Sequence, residues 1–226
     1  MLQKINKKII FSILFIILII FFVIIFIKND NKNFNIGNNN NKSIEEIEEY
    51  ILNLSSYEAK VSVTVESNKN TNKYELLQKY QAPNIAKQVV LEPSNIQGLE
   101  IIYDGSKLSI NNTKLNLSSV YENYNYLASN CLCLESFISD YIENKGSIYG
   151  ENEKIILETK TNNGNKYIYN KKLYVNKNDG KPIELIVEDI NEKKSVYILY
   201  NEIKINNLKD VDILAFKTIE TQAELY

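Results

Sequence analysis

The sequence predicts an α+β domain, an antiparallel sheet interrupted by helices, set behind one transmembrane helix. Three observations predict it. In residues 9–27, 18 of 19 side chains are apolar and Ser12 is the single interruption. From Tyr57 onward, apolar residues recur at every second position between short turns rich in Asn, Asp and Gly. After Ser43, and again over 118–144, the spacing switches to that of a helix.

Residues 1–8 form a stub carrying Lys4, Lys7 and Lys8. A helix over 9–27 is ~28 Å long at ~1.5 Å per residue, which matches the hydrocarbon core of a bilayer. Its insertion is favourable by roughly 5 to 11 kcal/mol on a translocation scale. The lysines on the short side place the N-terminus in the cytoplasm and the rest of the chain outside it, as a single-pass protein of the cell membrane. A cleaved signal peptide is the rival reading. It calls for a shorter apolar core and small residues at the cleavage site, and Phe26, Ile27, Lys28, Asn29 and Asp30 supply none. Residues 28–42 are about half Asn, too poor in apolar side chains to pack, and form a disordered tether of roughly 20 Å. Residues 43–226 suit one extracytoplasmic domain.

The domain opens with a capping box, Ser43 followed three residues later by Glu46. Ile44, Ile47, Tyr50, Ile51 and Leu54 then mark an amphipathic helix. Tyr57, Ala59, Val61, Val63 and Val65 alternate with polar residues as a half-buried strand. A turn over 68–72 leads to a second strand, marked by Tyr74, Leu76, Tyr80 and Ala82 and stopped by Pro83. Strands follow at 85–91 and 99–103, and Asp104-Gly105 turns the chain into a strand at 108–110. Two helices are expected next, one on Val120, Tyr121, Tyr124 and Leu127, one on Leu134, Phe137, Ile138, Tyr141 and Ile142. The remainder reads as a meander, with strands at 155–159, 167–175, 183–189 and 196–205 and turns at 162–165, 178–180 and 191–194. A last apolar run at 211–216 adds an edge strand or lies over the sheet.

Absences restrict the chemistry. The chain has no His, Trp or Arg, and all 26 basic residues are Lys. Histidine-dependent nucleophile pairs, histidine-bound zinc and an imidazole base are therefore excluded. So is the bidentate guanidinium that reads phosphate or guanine. A net charge of −2, with lysines scattered among carboxylates, leaves no nucleic-acid footprint. No pair of the 28 acidic residues stands out for glycoside chemistry, so no catalytic, cofactor-binding or metal-binding residue is nominated and the protein is read as a non-enzyme.

Cys131 and Cys133 sit two apart. In an extended segment they point to one face, an awkward geometry for a mutual disulfide. Buried thiols and an intermolecular bridge both remain open. Several strands are apolar on both faces, at 155–157 and 196–200 for example. One face can bury helices while the other meets a partner, or the many tyrosines simply edge the core.

The order of elements, with Lys79-Tyr80-Gln81-Ala82-Pro83, Pro93, Gly98 and Ile101-Ile102-Tyr103-Asp104-Gly105, resembles the LolA-like lipoprotein-carrier superfamily over about residues 44–207. Within it the chain is similar to the clostridial germination-lipoprotein (GerS) group. The superfamily resemblance implies a curved antiparallel half-barrel packed on helices, with an apolar concavity that holds acyl chains in carrier members. The group resemblance implies a non-catalytic accessory protein of spore cortex modification and germination. It would bind and support a cortex N-acetylmuramoyl-L-alanine amidase, which supplies the zinc and the chemistry. The alternative is a lipid or lipoprotein carrier, with acyl lipid as ligand. A spare sheet edge also permits a homodimer. Two details depart from or echo the pattern: the protein anchor stands where group members carry a lipobox cysteine, and Lys87 occupies the position near which carriers place a basic residue.

Overall fold

The computed structural model describes residues 43–67, 69–124 and 132–208. The predicted stub, anchor and tether, and the apolar run at 211–216, lie outside the described residues. Among those described, no helix is long and apolar enough to cross a membrane.

Helix α1 (Ile44–Leu52) begins as its sequence predicts. The Glu46 amide donates to Ser43 Oγ at 3.2 Å and the Ser43 amide donates to Glu46 Oε2 at 2.9 Å. Two N–H groups that a helix start leaves unmatched are thereby satisfied. Ile47, Tyr50 and Ile51 face the core.

Strands β1 (Ser56–Glu66) and β2 (Thr71–Gln81) pair as the expected hairpin, with Tyr57 opposite Tyr80 and Val63 opposite Tyr74. They continue into β3 (Ile85–Glu92), β4 (Glu100–Tyr103) and β5 (Lys107–Asn112). The Asp104 turn forms because its Oδ1 accepts the amides of Ser106 and Lys107 while Gly105 takes φ 98°, a value that suits glycine.

The first of the two predicted helices is a correction. Residues 117–122 form strand β6 (Leu117–Glu122), with Leu108 opposite Tyr121 and Asn112 opposite Leu117. Val120 and Tyr121 fit a helical face only weakly, and the open edge of β5 offers every backbone group of the segment a ladder partner. Leu127, at the end of that predicted helix, lies outside the described residues. The second helix is present as α2 (Leu134–Asn144).

The C-terminal meander consists of β7 (Ser147–Glu151), β8 (Lys154–Asn165), β9 (Ile168–Asn176), β10 (Pro182–Glu188) and β11 (Lys194–Ile205). Strand β7 escapes the sequence reading because it has five residues, one of them Gly150, and no clean alternation. The turn expected at 162–165 is also corrected. Those residues extend β8, and the chain reverses at Lys166 and Tyr167, with Asn165 opposite Ile168 across a register shift. Asn is depleted in regular strands, and here residues 161–164 lie in the register shift, where the pairing is interrupted. The turn at 178–180 stands as predicted, Gly180 donating to Asn176 O at 2.8 Å with φ 70°.

The described strands form one open, curled antiparallel sheet of eleven, in the order β6-β5-β4-β3-β2-β1-β11-β10-β9-β8-β7. Two meanders therefore meet at a single seam, β1 against β11. The connection that carries α2 runs from one edge of the sheet, β6, to the other, β7. Tyr57, Ala59, Val61, Leu76, Tyr80, Leu157, Leu173, Leu185 and Ile198 line the inner face and are buried with the core sides of α1 and α2.

Candidate functional site

Helix α2 carries an apolar stripe at 134, 137, 138 and 141, yet it is turned so that Ile142 is 57 % exposed while Glu135, Ser136 and Asp140 are buried. A helix that hides carboxylates and shows an isoleucine is held there by specific polar contacts. Two clusters provide them.

At the C-terminal end, Asp140 Oδ2 lies 2.7 Å from Lys171 Nζ, which extends from β9 and is itself 2 % exposed. Lys171 also donates to Ser136 Oγ at 3.0 Å, and the Asn162 amide donates to Asp140 Oδ1 at 3.2 Å. Thr159 Oγ1 donates to the Asp140 carbonyl at 3.1 Å. The helix stops with Lys145 at φ 52° and Gly146 donating to Tyr141 O at 2.9 Å. Tyr141 in turn donates to Glu48 at 2.6 Å and ties α2 to α1. Burial first, then the bond to Glu48, drives the Tyr141 hydroxyl well above its ordinary range. A serine and a lysine 3.0 Å apart invite comparison with a nucleophile and base, but this lysine is salt-bridged and both groups are buried, so the pair is structural.

At the N-terminal end, Cys133 caps the helix with its backbone alone, and Glu135 sits in the first turn, where the helix dipole favours a carboxylate. Tyr57 Oη donates to Glu135 Oε2 at 2.8 Å. Gln78 Nε2 donates to Leu132 O at 3.0 Å and Gln88 Nε2 to Cys133 Sγ at 2.9 Å, so β2 and β3 grip the segment just before the helix. Three buried atoms of this cluster have no hydrogen-bond partner: Gln78 Oε1, Glu135 Oε1 and Tyr200 Oη. Burial pushes the Glu135 carboxyl up to about 7, against the opposing pull of its backbone amide, Tyr57, Cys133 and Lys171. Burial and then the Glu135 charge push Tyr57 and Tyr200 well above the phenol range.

The outer face answers the two-sided apolar pattern. Ile156 and Ile186 point away from the helices yet are buried. Neighbouring residues on that face roof them: Tyr149 donates to Glu158 at 3.0 Å, Lys172 pairs with Glu188 at 3.0 Å, and Lys154 pairs with Glu184 at 2.9 Å. Lys154 also lies 5.4 Å from the Tyr174 ring, and Lys194 lies 5.6 Å from that of Tyr197. This face buries its own isoleucines and presents tyrosine edges among balanced charges.

Strand β6 is different. Leu115 in the preceding turn, Leu117, Val120 and Tyr121 in the strand, and Tyr124 just after it are all exposed. The strand has β5 on one side and, among the described residues, no strand on the other. An edge with exposed apolar side chains is the feature of this surface best suited to meeting another chain.

Lys87 is buried on the outer side of β3, 3.3 Å from Glu100 on β4, a structural placement. Cys133 is buried and Cys131 lies outside the described residues. Among the described residues no group of three His, Cys, Asp or Glu could hold a metal ion. Sequence reasoning missed the clusters on α2, because Glu135 and Asp140 look like the solvent face of an amphipathic helix. Their one outward sign is Lys171, in the middle of a strand between Asn170 and Lys172 at a position that alternation assigns to the core.

A family model described as sporulation protein YdcC-like matches residues 7–214. No curated protein matches the chain. Among solved structures, an uncharacterized conserved protein from Thermus thermophilus is similar, at 12 % identity and TM-score 0.51 over 79 % of this chain and 96 % of that one. So is a chain of the complex of the CwlD amidase with the GerS lipoprotein from Clostridioides difficile, at 25 % identity and TM-score 0.46 over 73 % of this chain and 96 % of that one. A LolA superfamily protein from Nitrosomonas europaea matches at 11 % identity and TM-score 0.42, over 76 % and 97 % of the two chains.

Proposed function

The chain belongs to the YdcC-like family of sporulation proteins, and on that ground we propose that it is a membrane-anchored, non-catalytic accessory protein of spore cortex modification. The observation that carries the reading is the reach of the family match, residues 7–214, which takes in both the apolar run at 9–27 and the sheet domain. The partner is a cortex N-acetylmuramoyl-L-alanine amidase, the enzyme implied by the chain's resemblance to the germination-lipoprotein group. The exposed edge of β6 is the docking surface: an apolar, tyrosine-bearing edge accepts a strand or loop from another protein. A chain without histidine that supports a zinc amidase leaves the metal chemistry to its partner.

Co-expression of the full chain with the cell's cortex amidase tests this directly. Capture of the amidase on the anchored protein, with amidase activity that depends on it, is the expected outcome. No complex, together with activity indifferent to the protein, overturns it. Protease protection in intact cells tests the anchor, with the domain outside and the first eight residues inside as the expected result.

A lipid carrier gains less support. The inner face between β2, β3 and β11 presents Gln78, Gln88, Tyr57 and Tyr200 around Glu135, a polar lining that suits an acyl chain poorly. Native mass spectrometry of the full chain released from detergent would reveal co-purifying lipid if that reading held.

A further inference from the structure

Helix α2 turns two carboxylates into the core and supplies a cation for one. Asp140 has Lys171 at 2.7 Å, whereas Glu135, 6 % exposed, has no salt bridge among the described residues. One oxygen of Glu135 accepts Tyr57 Oη at 2.8 Å and the other, Oε1, accepts nothing. The unmatched atoms around it are Gln78 Oε1, which can only accept, and Tyr200 Oη, which brings one proton of its own. The Cys133 thiol and the Glu135 backbone amide favour the charged carboxylate, yet Glu135 Oε1 and Gln78 Oε1 stay unmatched beside a single tyrosine proton, so the cluster is still short of donors. One added proton corrects that shortage, because it removes a buried charge and turns Glu135 Oε1 into a donor.

The groups that act on Glu135 come from each surrounding element. They are Tyr57 from β1, Tyr80 from β2, Tyr200 from β11, Cys133 from the segment before α2, and Lys171 from β9. The three tyrosines stay neutral, burial holding their hydroxyls above the ordinary phenol range, with Tyr80 at about 12. Lys171 is committed to Asp140 and Ser136. Burial holds the Glu135 carboxyl at about 7, so its proton exchanges close to neutrality.

We propose that Glu135 is a proton-binding site that gates the seating of the first turn of α2 on the sheet. With the proton bound, residues 132–137 stay docked under the grip of Gln78 and Gln88. When it leaves, a carboxylate without a cation is left in the core, and its relief is to lift that turn towards water and uncover the inner face, against the cost of exposing Leu134 and Phe137 and of giving up the Lys171–Ser136 bond. The sign follows from the raised pKa. Docking is firmest below about pH 4.5, the value of an exposed glutamate, and weakens as pH rises through about 7.

Hydrogen exchange on the full chain in detergent micelles, corrected for intrinsic amide rates, reads this out. Protection of amides 132–137 is expected to fall ~30-fold between about pH 5.5 and pH 8.5, the ratio that carboxyl values of 4.5 open and 7 docked dictate. The Glu135→Gln variant, neutral at every pH, should show no such fall. Protection that is flat with pH in the natural protein, or a fall that persists in the variant, overturns the proposal. Infrared titration of the natural protein keeps the test decisive if the variant does not fold. A protonated-carboxyl stretch that disappears with a midpoint near pH 7 supports the gate, and its absence above about pH 6 removes it.

Discussion

The two ends of α2 solve the same problem differently. Each buries a carboxylate against the inner face of the sheet. At the C-terminal end Asp140 receives a lysine and a backbone amide, and Asn144 and Thr159 tie the helix to β8, so the Asp140 charge has its counterpart. At the N-terminal end Glu135 has a tyrosine hydroxyl, the Cys133 thiol and its own backbone amide to favour its charge, but no salt bridge among the described residues, and it leaves an oxygen bare beside two other unmatched atoms. A salt-bridged carboxylate fixes its end of the helix to the sheet, while an under-supplied acid makes a seat that responds to pH. The contrast lies within one eleven-residue helix.

Four substitutions probe whether the two ends differ in this way. Lys171→Met should have the largest effect, a loss of ~3 to 5 kcal/mol in urea unfolding of the full chain, because it strands Asp140 without a cation. A loss no greater than that of an ordinary surface change would mean that the C-terminal end is not the fixed one. Gly146→Ala should cost ~2 to 4 kcal/mol. A Cβ there would overlap the Tyr141 ring and stand 2.7 Å from the Glu158 carbonyl, and backbone cannot swing aside. Tyr57→Phe should cost ~1 to 3 kcal/mol, and more at pH 8 than at pH 5, since the missing hydroxyl matters most when Glu135 is charged. Tyr200→Phe should change stability by less than ~1 kcal/mol, or raise it slightly, because its hydroxyl is buried without a partner. A large loss from Tyr200→Phe would show that the N-terminal cluster is better satisfied than its geometry indicates.

The sheet was largely legible in the sequence, and the reasons are local. Val61, Val63 and Val65 alternate with polar neighbours, and Asp104-Gly105 and Asn178-Asp179-Gly180 turn the chain through their own side chains and φ values. The capping box at Ser43 is equally local. Strand β6 was not legible, since its stability comes from the neighbouring edge and its own side chains are mostly exposed. Strand β8 overran its predicted turn because the hairpin closes later, at Asn165 opposite Ile168, and residues 161–164 are taken up in the register shift before that pair. The clusters on α2 were hidden more deeply. Helical periodicity reports where apolar residues fall, and it says nothing about a helix that rotates to satisfy Lys171 and Tyr57, contributed by strands far away in sequence. The sequence leaves the outer-face apolar residues ambiguous, and the tyrosines and ion pairs that roof Ile156 and Ile186 resolve them.

The seam between β1 and β11 governs how this domain comes into being. Tyr57 pairs with Ile205 and Val65 with Val196, partners separated by 148 and 131 residues, taking the differences of the positions. Among the described strands, this central ladder therefore closes last in synthesis and across the largest loop. Such topology folds slowly, because the entropy of a long closure is spent before any contact returns it. Until β11 arrives, β1 is an alternating Val and Ala strand with one open edge, a template for pairing with the wrong chain. Loss of β11 would leave that edge open for good, so truncation from the C-terminal side of Lys194 should aggregate where removal of a peripheral strand would not.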